Sequence, residues 1–162
     1  MLGLDHLDFQ GEFNSTRPYT YSHDDPYDSY THYNQALAHP LGANFKEFIG
    51  IIRYQPGARV FLTLRAIHAK TGENTATENW GANPLLSYNS RVSDYGNETG
   101  QGVGAAIDIL GFDASWMFHH NMFLDLKMLL RSKDSRDDLR DRNSGFISAG
   151  IRLNLWNQQL DF

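Results

Sequence analysis

The sequence predicts an all-β fold, an antiparallel up-and-down meander of about six strands that is part of a transmembrane β-barrel, and three observations carry that reading. Apolar and polar residues alternate with a period of two, which gives a strand one greasy face and one wet face. Long polar connections alternate with very short ones. The third is composition: aromatics make up 13% of 162 residues, with 14 Gly and only 5 Pro. Mean hydropathy is −0.49 although 41% of residues are hydrophobic. That mixture suits strands half in lipid and half in water, joined by wet loops.

The clearest strand pair lies near the C-terminus. Met122, Leu124, Leu126, Met128 and Leu130 share one parity, against Phe123, Asp125, Lys127, Leu129 and Arg131. A polar stretch from Ser132 to Asn143 follows. The pattern then returns as Ile147, Ala149, Ile151, Leu153 and Leu155 against Ser148, Gly150, Arg152 and Asn154, making an antiparallel pair. The chain closes on Leu160-Asp-Phe162, an aromatic end directly after a strand.

From the start, Leu7, Phe9, Gly11 and Phe13 alternate with His6, Asp8, Gln10, Glu12 and Asn14, a first strand over 4–14. Residues 15–43, rich in Tyr and His, form a loop longer than compact domains normally carry. The second strand, 44–55, sets Phe48, Gly50, Ile52 and Tyr54 against Glu47, Ile49, Ile51 and Arg53. Gln55-Pro-Gly-Ala58 is the next turn; L-Pro-Gly fits a type I or II turn in a slightly long hairpin. A third strand, 59–70, sets Val60, Leu62, Leu64 and Ala66 against Arg59, Phe61, Thr63 and Arg65. A second long loop covers 71–100. The fourth strand, 101–118, switches parity, from odd Val103, Ala105, Ile107 and Ile109 to even Leu110, Phe112, Ala114, Trp116 and Phe118. That switch predicts a bulge between Ile109 and Gly111. His119-His-Asn121 turns tightly into Met122.

The loops at 15–43, 71–100 and 132–143 therefore fall at one end of the sheet and the short turns at the other, as in outer-membrane barrels. Trp116, Phe118, Tyr54 and Trp156 gather near the short-turn end, where an interfacial girdle belongs. The expectation is that Leu62, Leu64, Leu124, Leu126, Leu130, Ile151 and Leu153 face lipid. A wet, concave lumen then receives Glu12, Glu47, Arg53, Arg65, Asp125, Lys127, Arg131 and Arg152, where opposite charges pair. Membrane barrels have about eight strands or more, so six are expected to be the C-terminal portion of a larger wall, completed by the remainder of a barrel or by another copy. Met1–Asp8 has neither a basic nor an apolar segment of a secretion signal.

Other classes find less support. No run of about 18 apolar residues exists for a helical span, and zero Cys excludes disulfides and thiolate metal sites. A net charge of −5 without a basic block leaves no nucleic-acid footprint. The competing fold is a soluble all-β ligand-binding domain, lipocalin-like or sandwich, with the apolar faces turned into a core.

Several runs carry a resemblance. These are Phe13-Asn14, Arg17-Pro-Tyr-Thr-Tyr-Ser-His23, Tyr30-Thr-His-Tyr-Asn-Gln35, Leu37-Ala-His-Pro-Leu-Gly-Ala-Asn-Phe-Lys-Glu47, Arg53-Tyr-Gln-Pro56, Asp94-Tyr-Gly-Asn97, Gly100-Gln-Gly102 and Asp161-Phe162. Together they resemble the C-terminal region of Bacteroidetes outer-membrane proteins of the capsule-assembly (Wzi-like) family, some of them gliding-motility proteins. The resemblance implies a barrel in the bacterial outer membrane, associated with capsule or other surface polysaccharide, and it brings no catalytic motif.

Two loop features invite chemistry. Tyr19, Tyr21, Tyr27, Tyr30, Tyr33, Trp80, Tyr88 and Tyr95 are candidates for stacking on sugar rings; the alternative is that they pack the loops into a lid over the barrel mouth. His23-Asp-Asp25 with His32 and His39 offers imidazole and carboxylate ligands, but no fixed metal-ligand spacing, and an ordered polar loop is the preferred reading. No cofactor is implied. An enzyme would need a nucleophile and base in a recognisable arrangement, and the sequence has no such motif.

Overall fold

The computed structural model describes residues 5–154; the expectations for Leu155, Trp156 and the Leu160–Phe162 terminus lie outside them. The strands are β1 (Leu7–Thr16), β2 (Thr31–His32), β3 (Gln35–Ala36), β4 (Phe45–Gly57), β5 (Val60–Glu73), β6 (Val103–His119), β7 (Met122–Ser135) and β8 (Arg142–Leu153). Six form one antiparallel sheet in the order β1-β4-β5-β6-β7-β8, each long strand hydrogen-bonded to the next in sequence. The sheet is not closed. Among the described residues, β1 and β8 are its outer strands, each with one bare edge.

Register fixes the faces. Leu7, Tyr54, Leu62, Ala114, Leu126 and Ala149 lie side by side across all six strands. The adjoining row is Phe9, Ile52, Leu64, Phe112, Met128 and Ile147, and the next is Gly11, Gly50, Ala66, Leu110, Leu130 and Gly145. Val60, Trp116, Leu124 and Ile151 extend the band towards the short turns. No polar side chain except the Tyr54 phenol interrupts these four rows. They are not packed as a core: Leu124, Leu126 and Leu130 are each more than 40% exposed and Ile151 is 68% exposed.

The bulge expected between Ile109 and Gly111 is absent. β6 pairs with β5 without a break from Val103 to Trp116, and its irregularity lies between Met117 and His119. Asp108 consequently shares the face of Leu110, Phe112 and Trp116. The parity switch has another cause: Ala105 and Ile107, on the opposite face, belong to the buried core at the loop end of the sheet. Different covers at different heights mimic a change of register.

Both short connections are two residues long. β4 continues through Gly57 to the turn at Ala58 and Arg59, with the register shift between Tyr54 and Gly57 absorbing Gln55 and Pro56. A bulge tolerates Pro because its missing N–H is not needed there. His120 and Asn121 form the other turn, and Asn121 takes φ 59°, a left-handed conformation that Asn accepts better than most residues.

The buried core sits at the long-loop end, on the face opposite the apolar band. Phe45, Ala69, Ala105 and Ile107 pack there with Glu47, Thr16, Thr71 and Ser135. Its pin is Asn44, fully buried at φ 62°. Asn44 Nδ2 approaches the carbonyls of Gly72 (2.8 Å), Gln101 (2.9 Å) and Trp80 (3.3 Å), and its Oδ1 accepts from the Gly100 N–H at 2.6 Å. One side chain thus ties the 74–102 loop to the start of β4. Backbone bonds from Tyr19 N to Gly81 O and from Ala43 N to Ala82 O join the two long loops directly.

Candidate functional site

Three surfaces follow from this geometry: the apolar band, the mixed face behind it, where Ile49, Ile51, Ile67, Ile109, Leu129 and Phe146 stand among the charges, and the cap made by the loops.

The band has defined margins. At the short-turn end Trp116 and Phe118 lie 6.2 Å apart, with Tyr54 on the same face as Trp116. At the loop end the row Phe13, Phe48, His68, Asp108, Ser132 and Asn143 begins the change to polar. Phe13 and Phe48 contact each other at 4.7 Å, and His68 Nδ1 and Asp108 Oδ1 are 2.7 Å apart. Just inside this margin the small side chains of Gly50, Ala66 and Gly145 leave a shallow depression of about 930 Å³.

All eight charges assigned by parity, Glu12, Glu47, Arg53, Arg65, Asp125, Lys127, Arg131 and Arg152, lie on the opposite face. Their surroundings differ along the strands. Near the short turns, Arg152 Nε donates to Asp125 Oδ2 at 2.8 Å, the Ser115 hydroxyl donates to the same carboxylate at 2.6 Å, and the Arg152 guanidinium lies over the Phe123 ring. Lys127 stands 4.0 Å from Asp113. Glu47, by contrast, is enclosed: Asn14 Nδ2 donates to it at 3.0 Å and His39 Nε2 lies 3.1 Å away. His39 in turn stacks on Phe45 at 4.3 Å. A loop therefore folds onto Glu47, which strand parity alone does not reveal.

The candidate tyrosines separate into two groups. Tyr19, Tyr21, Trp80 and Tyr88 are partly buried struts of the cap. The Tyr19 hydroxyl donates to the Asn79 carbonyl at 2.6 Å, and burial pushes that phenol above its ordinary pKa. Trp80 presses against Gly102, where an added Cβ would lie 2.7 Å from the indole. Tyr88 meets His23 edge-on and carries Arg91 over its ring. Tyr27, Tyr33 and Tyr95 instead stand in solvent at 96%, 88% and 88% exposure, and Tyr30 is more than half exposed.

Tyr33 and Asn34 connect β2 to β3, both with positive φ, 48° and 59°. That is the backbone of a type I′ turn, whose usual occupants are Asn and Gly. A tyrosine there is strained by about 1–3 kcal/mol, and its exposed ring packs edge-on against His32. Tyr27, His32, Tyr33, Asn34 and Leu85 line one hollow of about 430 Å³. Asn34 and Leu85 also border a second of about 750 Å³, with Gln35, Leu41, Asn74, Asn83 and Arg140 among its walls. Arg140 bridges the loops there, donating to the Asn74 carbonyl at 2.8 Å and lying 3.5 Å from Glu73, which Lys133 also neutralises.

The histidines singled out for metal binding are dispersed: His23 pairs with Asp24, His32 packs on Tyr33, and His39 serves Glu47. Among the described residues no three His, Asp or Glu side chains come together as a ligand set.

Compared with family models, with curated proteins and with solved structures, the chain matches none. The candidate surfaces therefore rest on their own chemistry. Asn34, Gln35, Asn83 and Arg140 carry no sequence signal, because only loop packing brings them together; the His68–Asp108 contact is hidden too, because a bulge between Ile109 and Gly111 would turn Asp108 to the wet face with Asp113 and Ser115.

Proposed function

We propose that this chain is a segment of the wall of an outer-membrane β-barrel, non-enzymatic, serving the attachment of capsule or other surface polysaccharide or the assembly of cell-surface structures. The observation that carries the proposal is the pairing of a continuous apolar band on one face with two sheet edges that are bare among the described residues. In water a contiguous apolar patch of this extent is a liability; in hydrocarbon it is the required surface. On β7 the run from Met122 to Leu130 rises about 27 Å along the strand, or about 20 Å across a bilayer at a tilt near 40°, comparable to the ~25 Å apolar belt of such barrels. Aromatic residues at both margins match interfacial girdles.

Lipid also demands that the bare edges of β1 and β8 be paired, since each unsatisfied backbone group in hydrocarbon costs several kcal/mol. The partner wall is the remainder of a larger barrel or another copy of the chain. The mixed face, with its mutually paired Asp125, Arg152, Lys127 and Asp113, lines the lumen. On the loop cap, exposed Tyr27, Tyr30 and Tyr33 offer ring faces to the apolar sides of pyranoses, while Asn34, Gln35 and Asn83 offer amides to their hydroxyls; this and the sequence resemblance support the polysaccharide role.

Detergent phase partitioning tests the reading. The chain should enter the detergent phase and aggregate without detergent, and immobilised surface polysaccharide should retain it. A chain that remains monodisperse in plain buffer is instead the soluble all-β ligand-binding domain.

A further inference from the structure

Immediately beyond the loop-end margin of the apolar band, Lys46 and Lys70 sit directly opposite each other on β4 and β5. Like charges so placed destabilise a strand pair. Neither forms an ion pair among the described residues, nor does Arg136, which follows β7 on the same face. The Arg136 N–H donates to the Gly104 carbonyl at 2.8 Å, and its guanidinium lies over Gly104, 3.8 Å from where a Cβ would stand. The three cations line one hollow of about 460 Å³, floored by Gly104, Ala105 and Ala106, with Asp134 as its one carboxylate. Down the same strands from Lys46 and Lys70, past Phe48 and the His68–Asp108 pair that neutralises its own carboxylate, lies the largely apolar depression over Gly50 and Ala66, with His68 and Asp108 at its rim. A cationic hollow above an apolar trough on one face is the shape of a phosphate head joined to an acyl chain.

We propose that Lys46, Lys70 and Arg136 bind the phosphate of an anionic lipid, with an acyl chain of the same molecule lying over Gly50 and Ala66. The inference rests on the membrane reading above, because it places this row at headgroup depth. Bound phosphate offsets the Lys46–Lys70 repulsion, which explains why two unpaired lysines occupy facing positions. Asp134 lies two strands from Lys70 across Ala106 and leaves the hollow with a net positive charge.

Calorimetric titration of the detergent-solubilised chain with short-chain phosphatidylglycerol, with phosphatidylcholine of equal chain length and with inorganic phosphate tests the proposal. Phosphatidylglycerol should bind most tightly, and Lys46→Gln, Lys70→Gln and Arg136→Gln should each weaken it roughly fivefold, whereas Lys127→Gln on the other face should not. Ala66→Trp, which fills the trough, should weaken both lipids. Lys46→Gln should also raise the thermal midpoint in lipid-free detergent, a readout showing that the variant folds. Equal binding of the two lipids, or unchanged preference in the triple variant, overturns the site while leaving the membrane reading intact. Inorganic phosphate binding as tightly as phosphatidylglycerol overturns the lipid as its source. A chain that needs no detergent fails the membrane reading itself, and the site with it.

Discussion

Replacing Asn44 with Ala should loosen the whole loop cap. The two Nδ2 hydrogens are shared among three carbonyls and Oδ1 holds the Gly100 N–H, so three hydrogen bonds' worth is lost at about 1 kcal/mol each. The left-handed backbone at φ 62° adds about 1 kcal/mol for a residue with a Cβ and no local polar side chain. Asn44→Ala should therefore cost about 4 kcal/mol and Asn44→Gly about 3 kcal/mol. Denaturant titration in detergent gives the totals, and hydrogen exchange locates the effect. The Gly100 amide should lose protection in both variants, since it donates to the missing side chain. Should Ala and Gly cost the same, or both stay within about 1 kcal/mol of the parent, Asn44 does not hold the cap.

Other perturbations follow from the same geometry. Gly72→Ala would bring a Cβ to 1.9 Å from the Gln101 carbonyl, so limited proteolysis should open the 74–102 loop in that variant. Leu126→Arg, near the middle of the apolar band, should destabilise the chain in lipid vesicles by about 2–4 kcal/mol; the same change should improve solubility if the face meets water. Tyr33→Gly should relieve backbone strain, raising stability by about 1 kcal/mol, while lowering retention on surface polysaccharide. A drop in stability there would mean that the turn is not strained.

The parts of the fold visible in the sequence are those governed by neighbours along one strand. Alternation at Met122–Leu130 and Ile147–Leu153 specifies faces, and once faces and turn lengths are known the order β1-β4-β5-β6-β7-β8 follows. Strand ends were harder: β5 runs on to Glu73 and β7 to Ser135, past the apolar band, because paired backbone continues wherever a loop supplies a cover. The expected bulge at Ile109–Gly111 failed for this reason, since Ala105 and Ile107 are apolar towards the cap and Leu110 and Phe112 towards the band. Nothing local marks Asn44 as a pin or Glu47 as buried under His39; both depend on contacts between segments far apart in sequence. The β2–β3 hairpin hid behind Tyr33-Asn34, a pair that lacks the Gly of a typical type I′ turn.

With no cysteine in the chain, the lipid-facing side of β7 can be located one residue at a time. Single Cys substitutions from Leu124 to Arg131, spin-labelled in lipid vesicles, report whether each side chain meets hydrocarbon or water. A period of two is expected, with positions 124, 126, 128 and 130 open to oxygen dissolved in lipid and 125, 127 and 131 open to a water-soluble quencher. Equal access of the aqueous quencher to both parities, or an even set shielded from lipid and water alike, would contradict it.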